Sequence, residues 1–208
     1  MRDLMANSME IVGVGRSFQG EILRKMLHFL IALVPPLAAW NLPFTMLLLA
    51  SGTIFYTAAE VARASGTSIL LIGEITAVAA RPRDRGKLVM GPVTLALGAM
   101  FSLLLYPEPS ASIAIYALAF GDGLASLVGT MVRGPRMPFT GNKTISGSLA
   151  CFLAVFLVAL QIGGNAPVAV VLAIAATFLE SLPTGDFDNI LIPIGVGALA
   201  TSLLHLSP

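Results

Sequence analysis

Long apolar runs alternate with short charged or Gly- and Pro-rich breaks along almost the whole chain. These runs predict transmembrane helices of about 20 residues each near 26–41, 43–62, 88–106, 111–132, 146–162, 166–182 and 188–206. The stretch 64–87 is mixed, and its apolar part is too short to cross a bilayer, so we expect a cytoplasmic interfacial segment there. The pattern predicts an all-α polytopic membrane protein with about seven transmembrane helices.

The composition supports this class of protein. Of the 208 residues, 56% are hydrophobic and 11% are charged, whereas about a quarter of the residues of a soluble domain are charged. The predicted spans leave no room for a separate soluble domain, so we expect residues 1–208 to form a single integral-membrane domain that itself carries any chemistry. Residues 1–20 lack the apolar run of a signal peptide and are expected to form a cytoplasmic N-terminal segment. The few charges form no basic stripe, which argues against nucleic acid as a partner.

The basic residues predict the orientation of the chain in the membrane. All 12 Lys and Arg residues fall on one side of the predicted spans. The connections 41–43, 107–110 and 163–165 carry none, so the positive-inside rule places the amino terminus and the charged connections in the cytoplasm. Most carboxylates fall at the same end of the spans. We therefore predict a polar funnel that opens to the cytoplasm, within the plasma membrane of a prokaryote.

A carboxylate between two glycines is the most unusual feature of the fourth predicted span. Asp122 lies between Gly121 and Gly123 in the sequence FGDGLASLVG. At ~1.5 Å per residue it lies roughly 16 Å into the span, near the bilayer midplane. An ionised carboxylate at that depth needs protein, water or a metal as its partner. The flanking glycines would allow the helix to break beside a cavity.

The next connection is rich in glycine and hydroxyl groups and suits phosphate binding. Its candidate residues are Gly141, Asn142, Lys143, Thr144, Gly147 and Ser148. Accessible backbone N–H groups, the positive end of the following helix and a cation together favour an anion, although no Walker motif is present. The alternative is an ordinary loop in which Thr144 or Ser146 caps the next helix.

Two further clusters lie upstream. In EILRKMLHF, residues 21–29, the spacing places Arg24, Lys25 and His28 on one helix face. Anchoring to lipid headgroups would explain Arg24 and Lys25, but not His28, which is one turn deeper. Glu60 and Arg63 are three residues apart and are expected to form a structural ion pair.

A downstream cluster, ESLPTGDFDN, has carboxylates but no basic residue. It contains Glu180, Asp186, Asp188 and Asn189. Cytoplasmic connections normally favour Lys and Arg, so oxygen ligands for a hard cation such as Mg²⁺ are one interpretation. A solvated acidic turn is the other.

Four of these motifs occur in an order that resembles a known family. EILRKMLHF, GDGLASLVG, NKTISGSLACF and ESLPTGDFDNILIP, between about residue 21 and about residue 200, resemble the CTP-dependent lipid-alcohol kinases, which act on phytol, farnesol, dolichol or diacylglycerol. They are more distantly similar to phosphatidate cytidylyltransferases. The last motif looks most like that of phytol kinase. Ser146 stands where dolichol kinases and cytidylyltransferases usually have Glu, which disfavours those two assignments.

The resemblance implies transfer of the γ-phosphoryl group of CTP to a long-chain isoprenoid alcohol or diacylglycerol at the cytoplasmic membrane face. Mg²⁺ or another divalent cation would be held by Asp122, Asp188 and Asn189. The nucleotide would contact the loop, Gly121 and Gly123, and the basic cluster Arg24, Lys25 and His28. Lys143 would act on the phosphates, and either Asp122 or Glu180 would orient or deprotonate the alcohol; the sequence does not choose between them.

Two other functions are compatible with parts of the pattern. A cytidylyltransferase would use the same nucleotide to make a CDP-lipid and release pyrophosphate. A small ion-coupled transporter would use Asp122 and Glu180 as proton or cation sites, but the uncharged external connections and the absence of an internal repeat disfavour it. The identity of the lipid alcohol and the formation of a homodimer are left open.

The orientation is directly testable. Because basic residues resist translocation, reporters fused after Pro107 or after Gly164 should read as external, and reporters within 81–87 or 133–143 as cytoplasmic. Alkaline phosphatase fusions report an external position, and fluorescent-protein fusions report a cytoplasmic one. A cytoplasmic signal at Gly164 would contradict the one-sided arrangement of polar groups.

Overall fold

The structure is a computed structural model that describes residues 20–67, 76, 87–132, 134–138, 140–141 and 143–206. Within these ranges the chain is almost entirely helical, and its extended pairing is limited to an isolated bridge between Arg136 and Thr144. Almost all of the predicted N-terminal segment 1–20 and most of the predicted interfacial segment 64–87 lie outside the described residues.

The described residues form seven helices, and the last five of them match the predicted spans. They are α1 (20–31), α2 (Val34–Ala64), α3 (Gly91–Leu105), α4 (Ser110–Met131), α5 (Ile145–Gly163), α6 (Ala166–Ser181) and α7 (Asp188–Leu206), with a short 3₁₀ turn at Gly185–Phe187. Of these, α2, α4, α5 and the helical stretch that contains α7 are long and apolar enough to cross a membrane. The predicted all-α architecture and the count of seven helices are confirmed over the described part of the chain.

The first predicted span, 26–41, covers the end of α1 and the start of α2, and the second, 43–62, lies within the rest of α2. Asn41 has non-helical backbone angles, φ −156° and ψ 97°, and its side-chain Oδ1 accepts a hydrogen bond from the Phe44 N–H at 2.9 Å. This is the geometry of an N-cap that starts a new helix. Lys25 before the break and Tyr56 after it line the same cavity, so the chain reverses direction near Asn41. The predicted boundary at 41–43 coincides with this reversal.

Helix α4 is the centre of the bundle. It contacts α2, α3, α5, α6 and α7, and Ile113, Ile115 and Leu118 are fully buried. Residues Ala117–Asp122 form a π-helical segment, after which Gly123 resumes helical angles. The predicted break beside Asp122 is therefore a widened turn within a continuous helix. A π segment changes the direction of the residues that follow it and is frequent at functional sites.

The outer surfaces of the bundle are apolar. Trp40, Leu47 and Ile54 on α2 and Phe178 on α6 are largely exposed. Apolar side chains of this size on several neighbouring turns would be unfavourable in water and favourable among acyl chains. The exposed surface of α2 is the one expected of a helix that faces lipid.

Helices α3 and α7 cross at Gly98. A Cβ atom at this position would lie 2.0 Å from the Asn189 carbonyl oxygen and 3.1 Å from Pro193 Cγ. The first turn of α7 thus rests directly on the α3 backbone. Small residues at helix crossings allow this close approach in membrane proteins, and here the crossing fixes the position of Asn189.

Replacing this glycine should separate the two helices. Gly98→Ala should lower the free energy of unfolding by about 1–3 kcal/mol, because the added methyl group overpacks a backbone contact. Thermal unfolding in detergent, followed by tryptophan fluorescence or light scattering, measures the loss. The matched control is Gly52→Ala on α2, where no heavy atom lies within 4 Å of the new Cβ; it should leave stability unchanged or slightly raised. Equal effects of the two substitutions would contradict the tight crossing.

Candidate functional site

A cavity of about 750 Å³ lies where the polar ends of the helices meet. It gathers residues from all four sequence motifs, which come from distant parts of the chain. The predicted site residues that line it are Arg24, Lys25, His28, Asp122, Gly141, Lys143, Thr144, Gly147, Ser148, Glu180, Asp188 and Asn189. The structure therefore brings together most of the side chains that the sequence singled out. Asn142 lies outside the described residues.

Gly121 and Gly123 do not line this cavity. A Cβ at Gly121 would lie 2.9 Å from Val155 on α5, and a Cβ at Gly123 would lie 3.1 Å from the Phe29 ring on α1. The structure thus gives both glycines a packing role, and the nucleotide contact expected of them stays a prediction. They let α4 approach its neighbours on either side of Asp122.

Asp122 is held by two side chains of α1. Its Oδ2 accepts a hydrogen bond from Lys25 Nζ at 2.9 Å, and His28 Nδ1 lies 3.2 Å from the same oxygen. Lys25 also donates to the Asp122 backbone carbonyl at 3.3 Å. Lys25 and Asp122 are 3% and 4% exposed, so the lysine balances a buried carboxylate and does not anchor the chain to headgroups. His28 completes this contact, which explains its place one turn deeper.

A second contact between α1 and α4 lies one turn away. Glu21 accepts a hydrogen bond from Ser126 Oγ and forms an ion pair with Arg24. Burial of Glu21 opposes its ionisation, but the hydrogen bonds from Ser126 and Arg24 outweigh burial and lower the pKa of Glu21 to about 2. The two helices therefore run antiparallel with two polar contacts in register. The sequence analysis missed Ser126, although its position four residues after Asp122 places it on the same helix face.

The glycine-rich loop holds Lys143 at the start of α5. Thr144 is the N-cap: its Oγ1 accepts a hydrogen bond from the Gly147 N–H at 3.1 Å. The backbone carbonyl of Lys143 accepts from the Met137 N–H at 2.9 Å, so the segment before the loop holds Lys143 in place. The capping interpretation thus holds for Thr144, and it places the lysine next to the positive end of a helix. Gly141 has a φ of +71°, which a side chain would disfavour.

Lys143 pairs with Glu180 across the cavity. Its Nζ lies 2.5 Å from Glu180 Oε1; the lysine side chain is 29% exposed and the glutamate side chain 2%. Burial disfavours the charged ammonium, but Glu180 and Asp122 outweigh it, and the pKa of Lys143 lies above its ordinary value. Lys143 is therefore a charged group with part of its surface facing the cavity.

Asp188 and Asn189 begin α7 on another wall. Asp188 Oδ1 accepts a hydrogen bond from the Asn189 N–H at 2.9 Å. The Asn189 side-chain amide donates to Thr94 Oγ1 at 3.0 Å and to the Gly91 carbonyl at 3.3 Å. Because α3 takes both donor positions, the amide oxygen is the end of Asn189 that a ligand can use.

These residues fit a cation that takes some of its ligands from the protein and the others from a bound nucleotide. Within the described residues, no three His, Cys, Asp or Glu side chains are placed to hold a metal together. Mg²⁺ in nucleotide sites commonly takes one or two carboxylates and completes its shell with phosphate oxygens and water. The oriented Asn189 amide and the neighbouring Asp188 carboxylate supply the oxygen donors that this coordination needs.

The Glu60–Arg63 pair lies outside this cavity lining. Arg63 Nε is 2.7 Å from Glu60 Oε2, and Glu60 Oε1 accepts the Val89 N–H at 2.7 Å. Arg63 also donates to the Lys87 carbonyl at 3.2 Å. The expected ion pair is present, and it ties the end of α2 to the residues before α3.

Comparison with known proteins relates the chain to lipid-alcohol kinases. It is 37% identical over 117 residues to a phytol kinase of Synechocystis sp., covering 52% of this chain and 49% of the relative. It is 31% identical over 141 residues to farnesol kinase of Arabidopsis thaliana, covering 60% and 46%. It is 25% identical over 143 residues to a probable phytol kinase 1 of Glycine max, covering 60% and 47%. The aligned region spans about half the length of these relatives. No family model and no solved structure matches the chain.

The ion pair between α1 and α4 makes a prediction about stability. Lys25→Met should lower the free energy of unfolding by about 3–5 kcal/mol, because it leaves a buried carboxylate without its main counter-charge. The double variant Lys25→Met/Asp122→Asn should recover most of this loss. A thermal-shift series in one detergent measures both, with Lys87→Met, at an exposed lysine, as the matched control. If Lys25→Met unfolds at the wild-type temperature, the charge of Asp122 is balanced by another group.

Proposed function

Because the chain is a homologue of the phytol and farnesol kinases, we propose that it is a lipid-alcohol kinase that transfers the γ-phosphoryl group of CTP to a long-chain isoprenoid alcohol. One observation supports this function best: the polar cavity at one end of an apolar bundle combines cations, carboxylates and the start of α5. A water-soluble triphosphate can enter such a cavity while the hydrocarbon of the alcohol stays among apolar helices. The two substrates would then meet at the cytoplasmic membrane face.

The phosphates would bind around Lys143. Lys25 is committed to Asp122, whereas the Lys143 side chain is partly exposed to the cavity. An ammonium group has three donors, so Lys143 can hold phosphate oxygens while it keeps its contact with Glu180. The first amides of α5 and the positive end of that helix add further attraction for an anion. Arg24 lies on the same cavity and would contribute to the positive potential.

Mg²⁺ would be held by Asp188, Asn189 and Asp122 together with the phosphates. When bound, such an ion neutralises negative charge on the β- and γ-phosphates. The role of the protein is mostly positioning, because phosphoryl transfer needs aligned groups and charge stabilisation more than covalent help. The buried Lys25–Asp122 pair and the Asn189 contacts with α3 would keep these donors in place.

The reaction needs only the two substrates and one group that accepts a proton. The hydroxyl oxygen of the alcohol forms a bond to the γ-phosphorus, and the bond from that phosphorus to its bridging oxygen breaks. CDP leaves with the bridging oxygen, and the hydroxyl proton passes to a base in the cavity. A cytidylyltransferase would instead form a bond to the α-phosphorus and release pyrophosphate.

Product analysis tests the proposal. The protein, purified into lipid nanodiscs, would be incubated with γ-labelled CTP, ATP, GTP or UTP and with phytol, farnesol, a polyprenol or diacylglycerol. We expect labelled isoprenoid monophosphate and CDP, with CTP the preferred donor. Pyrophosphate and a CDP-lipid would establish the cytidylyltransferase instead. The absence of any product with every pair would reject the enzyme proposal.

Lys143 should be the residue on which CTP use depends. Lys143→Arg and Lys143→Met should both lower kcat/KM for CTP by about 30- to 1,000-fold, or roughly 2–4 kcal/mol, because a planar guanidinium does not replace a compact ammonium among backbone amides. Steady-state kinetics in nanodiscs measures the change. Arg136→Lys, at an exposed position of the same loop, is the matched control and should change kcat/KM by less than about threefold. Near-normal efficiency of Lys143→Arg would mean that the phosphates bind elsewhere.

A further inference from the structure

The two buried carboxylates that line the cavity differ in their hydrogen bonding. Asp122 accepts from Lys25 and lies beside His28, so Lys25 balances its charge and both neighbours come from α1. Glu180 uses Oε1 for Lys143. Its Oε2 is fully buried and has no hydrogen-bond partner among the described residues. Sequence reasoning treated Asp122 and Glu180 as equivalent candidates, whereas the structure separates them.

An unpartnered buried carboxylate oxygen is unusual. Leaving such an acceptor without a donor costs about 1–3 kcal/mol, and more when it carries charge. Glu180 is 2% exposed and lines the cavity, so a donor for this oxygen has to come from within the cavity. The group that best suits it is a hydroxyl donor that arrives with the substrate.

From this geometry we propose that Glu180 Oε2 accepts the hydroxyl proton of the lipid alcohol, whereas Asp122 positions Lys25 and the α1 wall. The assignment rests on the proposed kinase function. The Lys143 ammonium, bound to Glu180 Oε1, would hold the γ-phosphate beside the same carboxylate. The hydroxyl on Oε2 and the phosphorus are then neighbours, which is the arrangement that an in-line attack requires.

The proton and the electrons balance in this step. The O–H bond of the alcohol breaks, its proton passes to Glu180 Oε2, and its electron pair remains on the oxygen that bonds to the γ-phosphorus. The bridging oxygen leaves with the nucleoside diphosphate. The protonated Glu180 returns its proton to water when the products depart.

Kinetics of Glu180→Gln tests the assignment. The amide keeps the shape of the side chain and an oxygen for Lys143, but it places an NH₂ group where Oε2 accepts the proton. We expect kcat to fall by about 100- to 10,000-fold, while KM for CTP changes by less than about threefold, because the phosphate contacts remain. Glu108→Gln, at an exposed glutamate in the connection before α4, is the matched control and should behave as wild type.

The acidity of the alcohol distinguishes a proton acceptor from a merely structural glutamate. A long-chain alcohol with two fluorines on its second carbon has a more acidic hydroxyl and needs less help from a base. We compare the rate with this alcohol to the rate with its unfluorinated parent. In Glu180→Gln this ratio should be at least about tenfold higher than in wild type. Asp122→Asn should lower both rates together and leave the ratio unchanged. Glu180→Asp, which keeps a carboxylate but shortens the side chain, should retain more activity than Glu180→Gln.

The outcomes separate this assignment from the proposed function. If wild-type protein phosphorylates no alcohol, the kinase function fails. If wild type is active and Glu180→Gln keeps its kcat, then Glu180 only positions Lys143. The same conclusion follows if Glu180→Gln loses activity with a raised KM for CTP and an unchanged ratio of the rates with the two alcohols. A rise in the ratio for Asp122→Asn alone would make Asp122 the proton acceptor.

Discussion

The buried ion pair between Lys25 and Asp122 is the constraint on which the site depends. A carboxylate within an apolar bundle is tolerated only when a counter-charge and hydrogen bonds accompany it. Here the counter-charge comes from α1, a helix whose Met26 and Leu30 are largely exposed. The pair thus docks a peripheral helix onto the central one, and it forms one wall of the cavity in doing so.

Close backbone contacts then place the remaining polar groups. Helix α3 touches the first turn of α7 at Gly98, and the alanines of α6, such as Ala169, Ala173 and Ala176, are fully buried. In a membrane, association between helices relies on such close packing because lipid removes most of the hydrophobic driving force. The same contacts that hold the bundle together therefore hold Asn189 at the cavity.

Among the described residues, three cation–carboxylate pairs line the cavity, and their cationic side chains differ in exposure. The side chain of Lys25 is 4% exposed in its pair with Asp122, and that of Arg24 is 20% exposed in its pair with Glu21, whereas that of Lys143 is 29% exposed beside Glu180. A fully buried pair is costly to open. The more exposed lysine can take a phosphate as an additional partner without uncovering a buried charge. This gradient separates the groups that maintain the structure from those available to substrates.

The sequence by itself determined the membrane architecture, because a chain in lipid must satisfy its backbone hydrogen bonds within apolar helices. Most of the site residues that it singled out also line the cavity, since charged side chains in apolar runs are rare enough to stand out. Only the tertiary structure decided which of them meet. Spacing along one helix shows that Lys25 and His28 share a face, but it does not show that this face meets Asp122. The packing role of Gly121 and Gly123, the π turn before Asp122 and the unequal bonding of Asp122 and Glu180 likewise follow from contacts between helices, which local periodicity does not encode.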